Sequence, residues 1–272
     1  ARELGADADE AASCREAAAA MMIPYDEALG VHPQADEFTE HAVWDFAGTN
    51  PDQYPLMLHF PYFDLYRKQV VKQADLVHAL YVRGDAFSAE EKARDFDYYE
   101  ALTVRDSSLS SSIQAAVAAE VGHLDLAYDY FAEAALLDLD DIHHDTRDGL
   151  HLASLGGALI AAVAGFGGIR DHDAALTLVP RLPDAITRLA FGFRFKGRQI
   201  RVEINHREAR YTMVEGDPLE VTHHGSAVTI ATDGPVSVPI PPAPARERPK
   251  QPRGRAPIRR VPPSETDGER GA

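Results

Sequence analysis

The spacing of apolar residues changes along the chain, and this change constrains the fold more than any other feature. Up to about residue 170, apolar side chains recur every three or four residues, as they do on one face of a helix. From Leu189 onward they alternate with polar residues, as in half-buried strands. The sequence therefore predicts a mainly helical region followed by a small antiparallel β domain.

The individual elements follow from this spacing and from the glycines that end them. Helices are predicted over residues 66–84, 107–121, 124–137 and about 150–164, with a tight turn at Gly122 between the second and the third. Strands are predicted over residues 189–195, 199–205, 208–214, 219–223 and 227–231. We therefore expect a helical domain over 1–170 and a β domain over 171–235.

The composition excludes several classes of protein. The 272 residues are 45% hydrophobic, enough for a sizeable core. The longest apolar run, residues 158–164, is far too short to span a membrane. The single cysteine, Cys14, excludes an internal disulfide and a metal site built from cysteines, and the first residues do not resemble a signal peptide. We expect a cytoplasmic protein with no membrane contact.

The last part of the chain differs in charge. Residues 1–170 hold 30 acidic and 11 basic residues, whereas residues 236–272 hold 8 basic and 4 acidic residues and nine prolines, with no aromatic residue. Because such a segment has little apolar surface to bury, we expect a disordered tail over 236–272. The acidic main body would repel nucleic acid, so we expect none as a partner.

Three stretches carry polar groups suited to a binding site. Ser107 and Ser108 follow Asp106, a good helix N-cap, and would lie at a helix start where anions bind; they could also be solvent-facing serines of a capped helix. His151 and Ser154, three residues apart, would share one helix face.

Lys72 and Gln73 form the third stretch. They would flank an apolar helix face and could donate hydrogen bonds to sugar hydroxyls or to phosphate, or simply be solvated. The adjacent His143 and His144 point apart on a helix and lack a third ligand, so no zinc site is predicted.

Five segments together resemble the later part of glycoside hydrolase family 65, which contains the inverting phosphorylases of maltose, trehalose and kojibiose. They are HPQADEFTEHAVWDF (32–46), LHFPYFDLYRKQVVKQADLV (58–77), DFDYYEALTVRDSSLS (95–110), VGHLDLAYDYFAEAALLDL (121–139) and TRDGLHLASLGG (146–157). The resemblance implies the C-terminal part of an (α/α)₆ barrel followed by a small β-sandwich.

The resemblance also implies a reaction and a site. In the phosphorylases, inorganic phosphate attacks the anomeric carbon and a glutamic acid protonates the leaving sugar, which gives β-glucose 1-phosphate without a further cofactor. Carried over, Ser107, Ser108, His151 and Ser154 would bind phosphate, and Lys72 and Gln73 would bind the glucosyl unit. Arg105 stands where many members have a histidine.

The family's general acid lies upstream of the segments found here, so the catalytic residue itself is expected outside this chain. We therefore expect a fragment that is inactive alone, with an α-linked glucose disaccharide and phosphate as ligands. A chain carrying the missing N-terminal half and a homo-oligomer both stay open as partners. Two other functions also stay open: hydrolysis, with Asp106 or Asp148 as the base, and a non-catalytic helical interaction module.

Overall fold

The chain folds into a helical part and a β part, as seen in a computed structural model that describes residues 5 and 7–260. The α-helices among these residues are α1 (Ala8–Ala20), α2 (Tyr62–Leu65), α3 (Asp75–Val82), α4 (Ala89–Glu100), α5 (Ser110–Val121), α6 (Leu124–Leu136) and α7 (Leu152–Ile160), which continues as a π-helix (Ala161–Phe166). Short 3₁₀ helices span Phe38–Glu40, Pro51–Gln53, Leu56–Leu58, Gly84–Ala86, Thr146–Asp148 and His172–Ala174. Within the described residues, no helix is long and apolar enough to cross a membrane.

Helix α5 is the centre of the helical part. All of its residues except Glu120 are buried, and it packs against α3, α6, α7 and the π-helix. Its alanines allow this because small side chains let neighbouring backbones approach closely. A Cβ on Gly165 of the π-helix would lie 2.9 Å from the Cα of Ala116. The helix is therefore buried on every side rather than amphipathic.

The predicted turn between α5 and α6 is confirmed. Gly122 ends α5 with φ at 105°, a left-handed conformation that glycine adopts without the steric cost of a Cβ. Its N–H donates to the carbonyl of Ala118, and α6 begins two residues later. The helices predicted over residues 124–137 and about 150–164 are also confirmed, the first as α6 and the second as α7 with the π-helix that continues it.

The helix predicted over residues 66–84 is wrong in its first half. Residues Lys68–Gln69 form strand β2, which pairs in parallel with β1 (Ala42–Val43), and only α3 is helical. The N–H of Val71 donates to the carbonyl of Leu102 at 2.9 Å, and its own carbonyl accepts from the N–H of Val104 at 2.8 Å. These long-range bonds keep the backbone extended, so tertiary pairing overrides the local periodicity.

The β part contains two four-stranded sheets. Its strands are β3 (Ile169–Arg170), β4 (Thr177–Leu178), β5 (Leu189–Phe195), β6 (Arg198–Ile204), β7 (Glu208–Glu215), β8 (Leu219–His223), β9 (Ser226–Ile230) and β10 (Val236–Pro239). One sheet has the order β10-β7-β6-β5 and is antiparallel; the other has the order β3-β4-β8-β9, with β4 and β8 parallel. The hydroxyl of Tyr211 on β7 and Nδ1 of His223 on β8 are 2.8 Å apart, so the sheets meet across a buried interior.

The expectation of a disordered tail differs from the structure over residues 236–260. Strand β10 joins the first sheet, and the residues after it lie against the helical part. Low apolar content did not prevent ordering, because arginine side chains of the tail pair with carboxylates of the acidic helical part. The rest of the predicted tail, residues 261–272, lies outside the described residues.

Candidate functional site

A cavity of about 480 Å³ opens beside the segment that follows β2. Lys72 and Gln73 line it, together with Asp106 from the loop before α5 and the rings of Tyr62 and Tyr66 from α2 and the residue that caps it. The two rings are stacked, with centroids 5.7 Å apart, and both are exposed. The cavity therefore offers a cation, an amide, a carboxylate and an aromatic wall.

Gln73 connects the predicted sugar-binding and phosphate-binding residues. Its Oε1 accepts a hydrogen bond from the hydroxyl of Ser107 at 3.1 Å, and its Nε2 donates to Asp75 at 2.8 Å. Helix α5 begins at Ser110, so the two serines lie in the loop before the helix instead of in its first turn. Ser108 is half-buried, and no side-chain hydrogen bond of its hydroxyl is seen among the described residues.

Asp106 does not cap α5, contrary to the sequence-based prediction. One carboxylate oxygen accepts from the N–H of Leu56 at 2.8 Å, and the other accepts from the guanidinium of Arg255 in the tail. Burial raises the pKa of Asp106 above its usual range, while the Leu56 N–H and the Arg255 charge oppose this shift. Lys72 and His143 are near enough to act on Asp106 electrostatically.

Arg105 is buried next to this loop. Its guanidinium forms an ion pair with Glu133 of α6, which also accepts a hydrogen bond from Ser111. The backbone of Arg105 has φ at 56°, a left-handed conformation that is strained for residues other than glycine. The charge that replaces the family's frequent histidine is thus compensated by Glu133.

His151 lies immediately before α7 and is held by two aspartates. Its Nδ1 is 2.7 Å from Asp138 Oδ1 and its Nε2 is 3.4 Å from Asp145 Oδ2. The hydrogen bond with Asp138 raises the pKa of His151, which favours the imidazolium form. The centroid of the His143 ring lies 6.3 Å from that of the His151 ring.

Ser154 occupies a different environment from His151. Its side chain is buried, and its hydroxyl donates to the carbonyl of Ala134 at 3.1 Å inside the packing of α6 against α7. Ser107, Ser108, His151 and Ser154 do not line the cavity that contains Lys72 and Gln73. The structure thus brings Ser107 next to Gln73, whereas the ring of His151 lies near that of His143.

Sequence reasoning missed three participants of this region. The sequence indicates no zinc site at His143, assigns no role to Glu133 and predicts a disordered tail around Arg255. Burial lowers the pKa of His143, so its neutral form is favoured beside the charged groups. The one available signal was the excess of arginine in a segment that follows an acidic domain.

The structure joins a helical part that contains the cavity to a C-terminal β part. Residues 1–160 match the model of the glycosyl hydrolase family 65 central catalytic domain, and residues 169–230 match that of the family's C-terminal domain. The chain belongs to glycosyl hydrolase family 65, which confirms the resemblance found in the sequence.

Relatives and one solved structure agree with this assignment. An uncharacterized glycosyl hydrolase of Mycobacterium tuberculosis is 48% identical over 263 residues, which cover 96% of this chain and 33% of the relative. The α,α-trehalose phosphorylase of Geobacillus stearothermophilus is 39% identical over 230 residues, 85% of this chain and 30% of that enzyme. A putative kojibiose phosphorylase from the human microbiome superposes with a TM-score of 0.75 at 26% identity and covers 88% of this chain and 33% of its own.

The chain thus spans about a third of the length of the relatives it matches. The predicted fold class, the C-terminal part of an (α/α)₆ barrel followed by a small β domain, is confirmed by the family match and by the solved structure.

Proposed function

We propose that this chain is the part of an inverting α-glucoside phosphorylase that binds the glucosyl unit and inorganic phosphate. The observation that carries the proposal is the hydrogen bond between Ser107 and Gln73, because it joins the loop assigned to phosphate to the residue assigned to the sugar. A reaction in which phosphate attacks a sugar carbon requires such contact between the two subsites.

The cavity suits the glucosyl unit. Lys72 and Gln73 supply donors for sugar hydroxyls, and the stacked Tyr62 and Tyr66 offer flat apolar faces for the ring. Phosphate would lie next to this cavity at the hydroxyls of Ser107 and Ser108. Both ring nitrogens of His151 face aspartates, so its imidazolium would have to turn from Asp145 to contact phosphate.

In the proposed reaction, a phosphate oxygen forms a bond to the anomeric carbon while the glycosidic C–O bond breaks. The leaving sugar oxygen takes its proton from a carboxylic acid on the catalytic part that these 272 residues do not include. The product is β-glucose 1-phosphate, of inverted configuration. The chain alone should bind ligands without turning them over.

The surroundings of two carboxylates favour phosphorolysis over hydrolysis. A hydrolase of this type needs a carboxylate free to deprotonate water. Both oxygens of Asp106 accept structural hydrogen bonds, from Leu56 and Arg255. Asp148 lies on an exposed 3₁₀ turn, next to Arg147. Neither has the setting of a general base.

The partner we propose is the remaining catalytic part of the family's barrel. Leu152, Leu155, Leu159 and Ile160 of α7 are 40–74% exposed. Adjacent exposed leucines on a helix are typical of a surface that is covered in the assembled protein.

The test is a chimera in which this chain replaces the corresponding third of the M. tuberculosis relative. Trehalose, maltose and kojibiose are offered with and without inorganic phosphate, and glucose 1-phosphate and free glucose are measured. Glucose 1-phosphate that forms only with phosphate supports the proposal. Sugar release independent of phosphate would refute it, and cleavage of none of the three with ligand binding absent would favour an interaction module.

A double substitution tests the site itself. Ser107→Ala with Ser108→Ala should weaken phosphate binding by the chain about tenfold or more, while helical content is unchanged. The variant loses the Ser108 donor and the Ser107 hydroxyl, whose proton would have to turn from Gln73 to the phosphate. The matched control is Ser226→Ala with Ser237→Ala, since both serines are exposed in the β part. Equal phosphate affinity in the two variants would remove the assignment.

A further inference from the structure

The described part of the tail, residues 236–260, contacts the helical part through several polar side chains. Five of its residues donate hydrogen bonds to carboxylates of this part. The pairs are Arg246 with Glu90, Arg248 with Asp129, Gln251 with Glu100, Arg255 with Asp106 and Arg260 with Asp140. Neither family domain match reaches this segment, whereas the match to the M. tuberculosis relative covers 96% of the chain and so includes part of it.

Arg255 differs from the other four because it binds the loop that leads to the two serines. Its Nε donates to the carbonyl of Val104 at 2.6 Å, and its guanidinium pairs with Asp106. In return, Nε of Arg105 donates to the carbonyl of Arg255 at 2.6 Å. Three consecutive loop residues are therefore held by one residue of the tail.

The loop needs such contacts. Arg105 is held at φ 56°, which costs about 1 kcal/mol or more for a residue with a Cβ. A backbone in this state persists only where its surroundings fix it. Because Ser107 and Ser108 come directly after Asp106, the direction of their hydroxyls depends on how Arg255 holds the loop.

The charge of Arg255 matters as much as its hydrogen bonds to the loop. The side chain of Asp106 is 3% exposed, and Asp106 immediately precedes the serines assigned to phosphate. An uncompensated carboxylate there would repel a phosphate dianion across a medium of low dielectric constant. Besides the N–H of Leu56, the groups that act on Asp106 are Arg255, His143 and Lys72, and of these three side chains Arg255 is the one in direct contact.

We propose that Arg255 is a positioning residue of the phosphate site: it fixes the 104–108 loop and compensates Asp106 so that an anion can bind at Ser107 and Ser108. This inference rests on the proposed function and adds the tail to the site. The guanidinium of Arg255 lies over the ring of Tyr54, 4.4 Å from the ring centroid, and this cation–π contact helps to keep it in place.

The experiment measures inorganic phosphate binding to the complete 272-residue chain by titration calorimetry. Arg255→Ala should weaken binding about tenfold or more. Arg255→Lys keeps the charge but lacks the guanidinium that reaches both Val104 and Asp106, so its phosphate affinity should lie between those of the unaltered chain and Arg255→Ala. The matched control is Arg253→Ala, because Arg253 is exposed, two residues away and of equal charge. It should bind as the unaltered chain does.

A second substitution separates this role from a general loss of structure. Asp106→Asn in the Arg255→Ala background removes the uncompensated charge and should recover part of the lost affinity. A merely structural role of Arg255 would give no recovery. Should Arg255→Ala unfold, shown by circular dichroism, the comparison of Arg255→Lys with Arg253→Ala decides instead.

The outcomes distinguish the two proposals. If the unaltered chain binds no phosphate, or Ser107→Ala with Ser108→Ala leaves binding unchanged, the proposed function fails. If the serine variant loses phosphate but Arg255→Ala and Arg255→Lys bind within twofold of the unaltered chain, only the role of Arg255 is overturned. Tighter binding in Arg255→Ala would also overturn it, since the tail would then obstruct the site.

Discussion

Removal of the Glu133 carboxylate should destabilise the helical part strongly. Glu133 accepts hydrogen bonds from Arg105 and Ser111, and both partners are buried. The Arg105 side chain is 9% exposed, so Glu133→Ala would leave a buried guanidinium without its counter-ion. Breaking a buried ion pair from one side costs about 3–5 kcal/mol. Because Glu133 itself is 11% exposed and water can enter, we expect the lower end, about 3 kcal/mol.

The assay is urea denaturation followed by far-ultraviolet circular dichroism at pH 7. Glu133→Gln keeps the shape and an acceptor oxygen, so it should cost less than alanine. Glu133→Leu combined with Arg105→Met removes both charges and should recover part of the loss. The control is Glu220→Ala, since Glu220 is exposed on β8. If Glu133→Ala lies within about 1 kcal/mol of the unaltered chain, the pair does not hold the loop as argued.

Two further predictions concern α7. The hydrogen bond between His151 and Asp138 raises the pKa of His151 and lowers that of Asp138. Their pairing therefore stabilises the fold fully from about pH 4 to 6.5. This stabilisation is lost as pH rises through the raised pKa of His151 or falls through the lowered pKa of Asp138. Asp138→Asn should therefore lower the melting temperature more at pH 5.5 than at pH 8.5, and an equal decrease at both would contradict this. Gly157→Ala should cost about 1–3 kcal/mol in urea denaturation, because its Cβ would lie 2.4 Å from Ser112 Oγ. Gly156→Ala, whose Cβ would meet nothing within 4 Å, should be neutral or slightly stabilising, and equal effects of the two would refute the packing argument.

Local spacing predicted well where the local and tertiary requirements agree. The strands Leu189–Phe195 and Leu219–His223 have the predicted bounds, and Gly122 ends α5 as predicted. In these segments the periodicity of burial is the same as the periodicity of the sequence. The candidate site was found less completely. Gln73 and Ser107 do touch, but through an extended segment and a loop rather than through two helix faces.

Residues 66–84 show why prediction failed in part. Their spacing of apolar residues suits a helix, but Val71 pairs with Leu102 and Val104, about thirty residues further along the chain. Nothing within the segment itself encodes that partner. The extended backbone that results decides where Lys72 and Gln73 point, and hence which residues line the cavity.

The order of helices before strands, the glycine turns and the family were determined by the sequence alone, because each depends on residues close together in the chain. Only the tertiary structure decided how the tail is used. Its composition predicts disorder, yet Arg255 meets Asp106 149 positions away, and Arg105 returns a bond to the same residue. A buried charge needs a partner of opposite charge, and folding can supply one from a distant part of the chain. The composition of a segment does not show which distant residues it will contact.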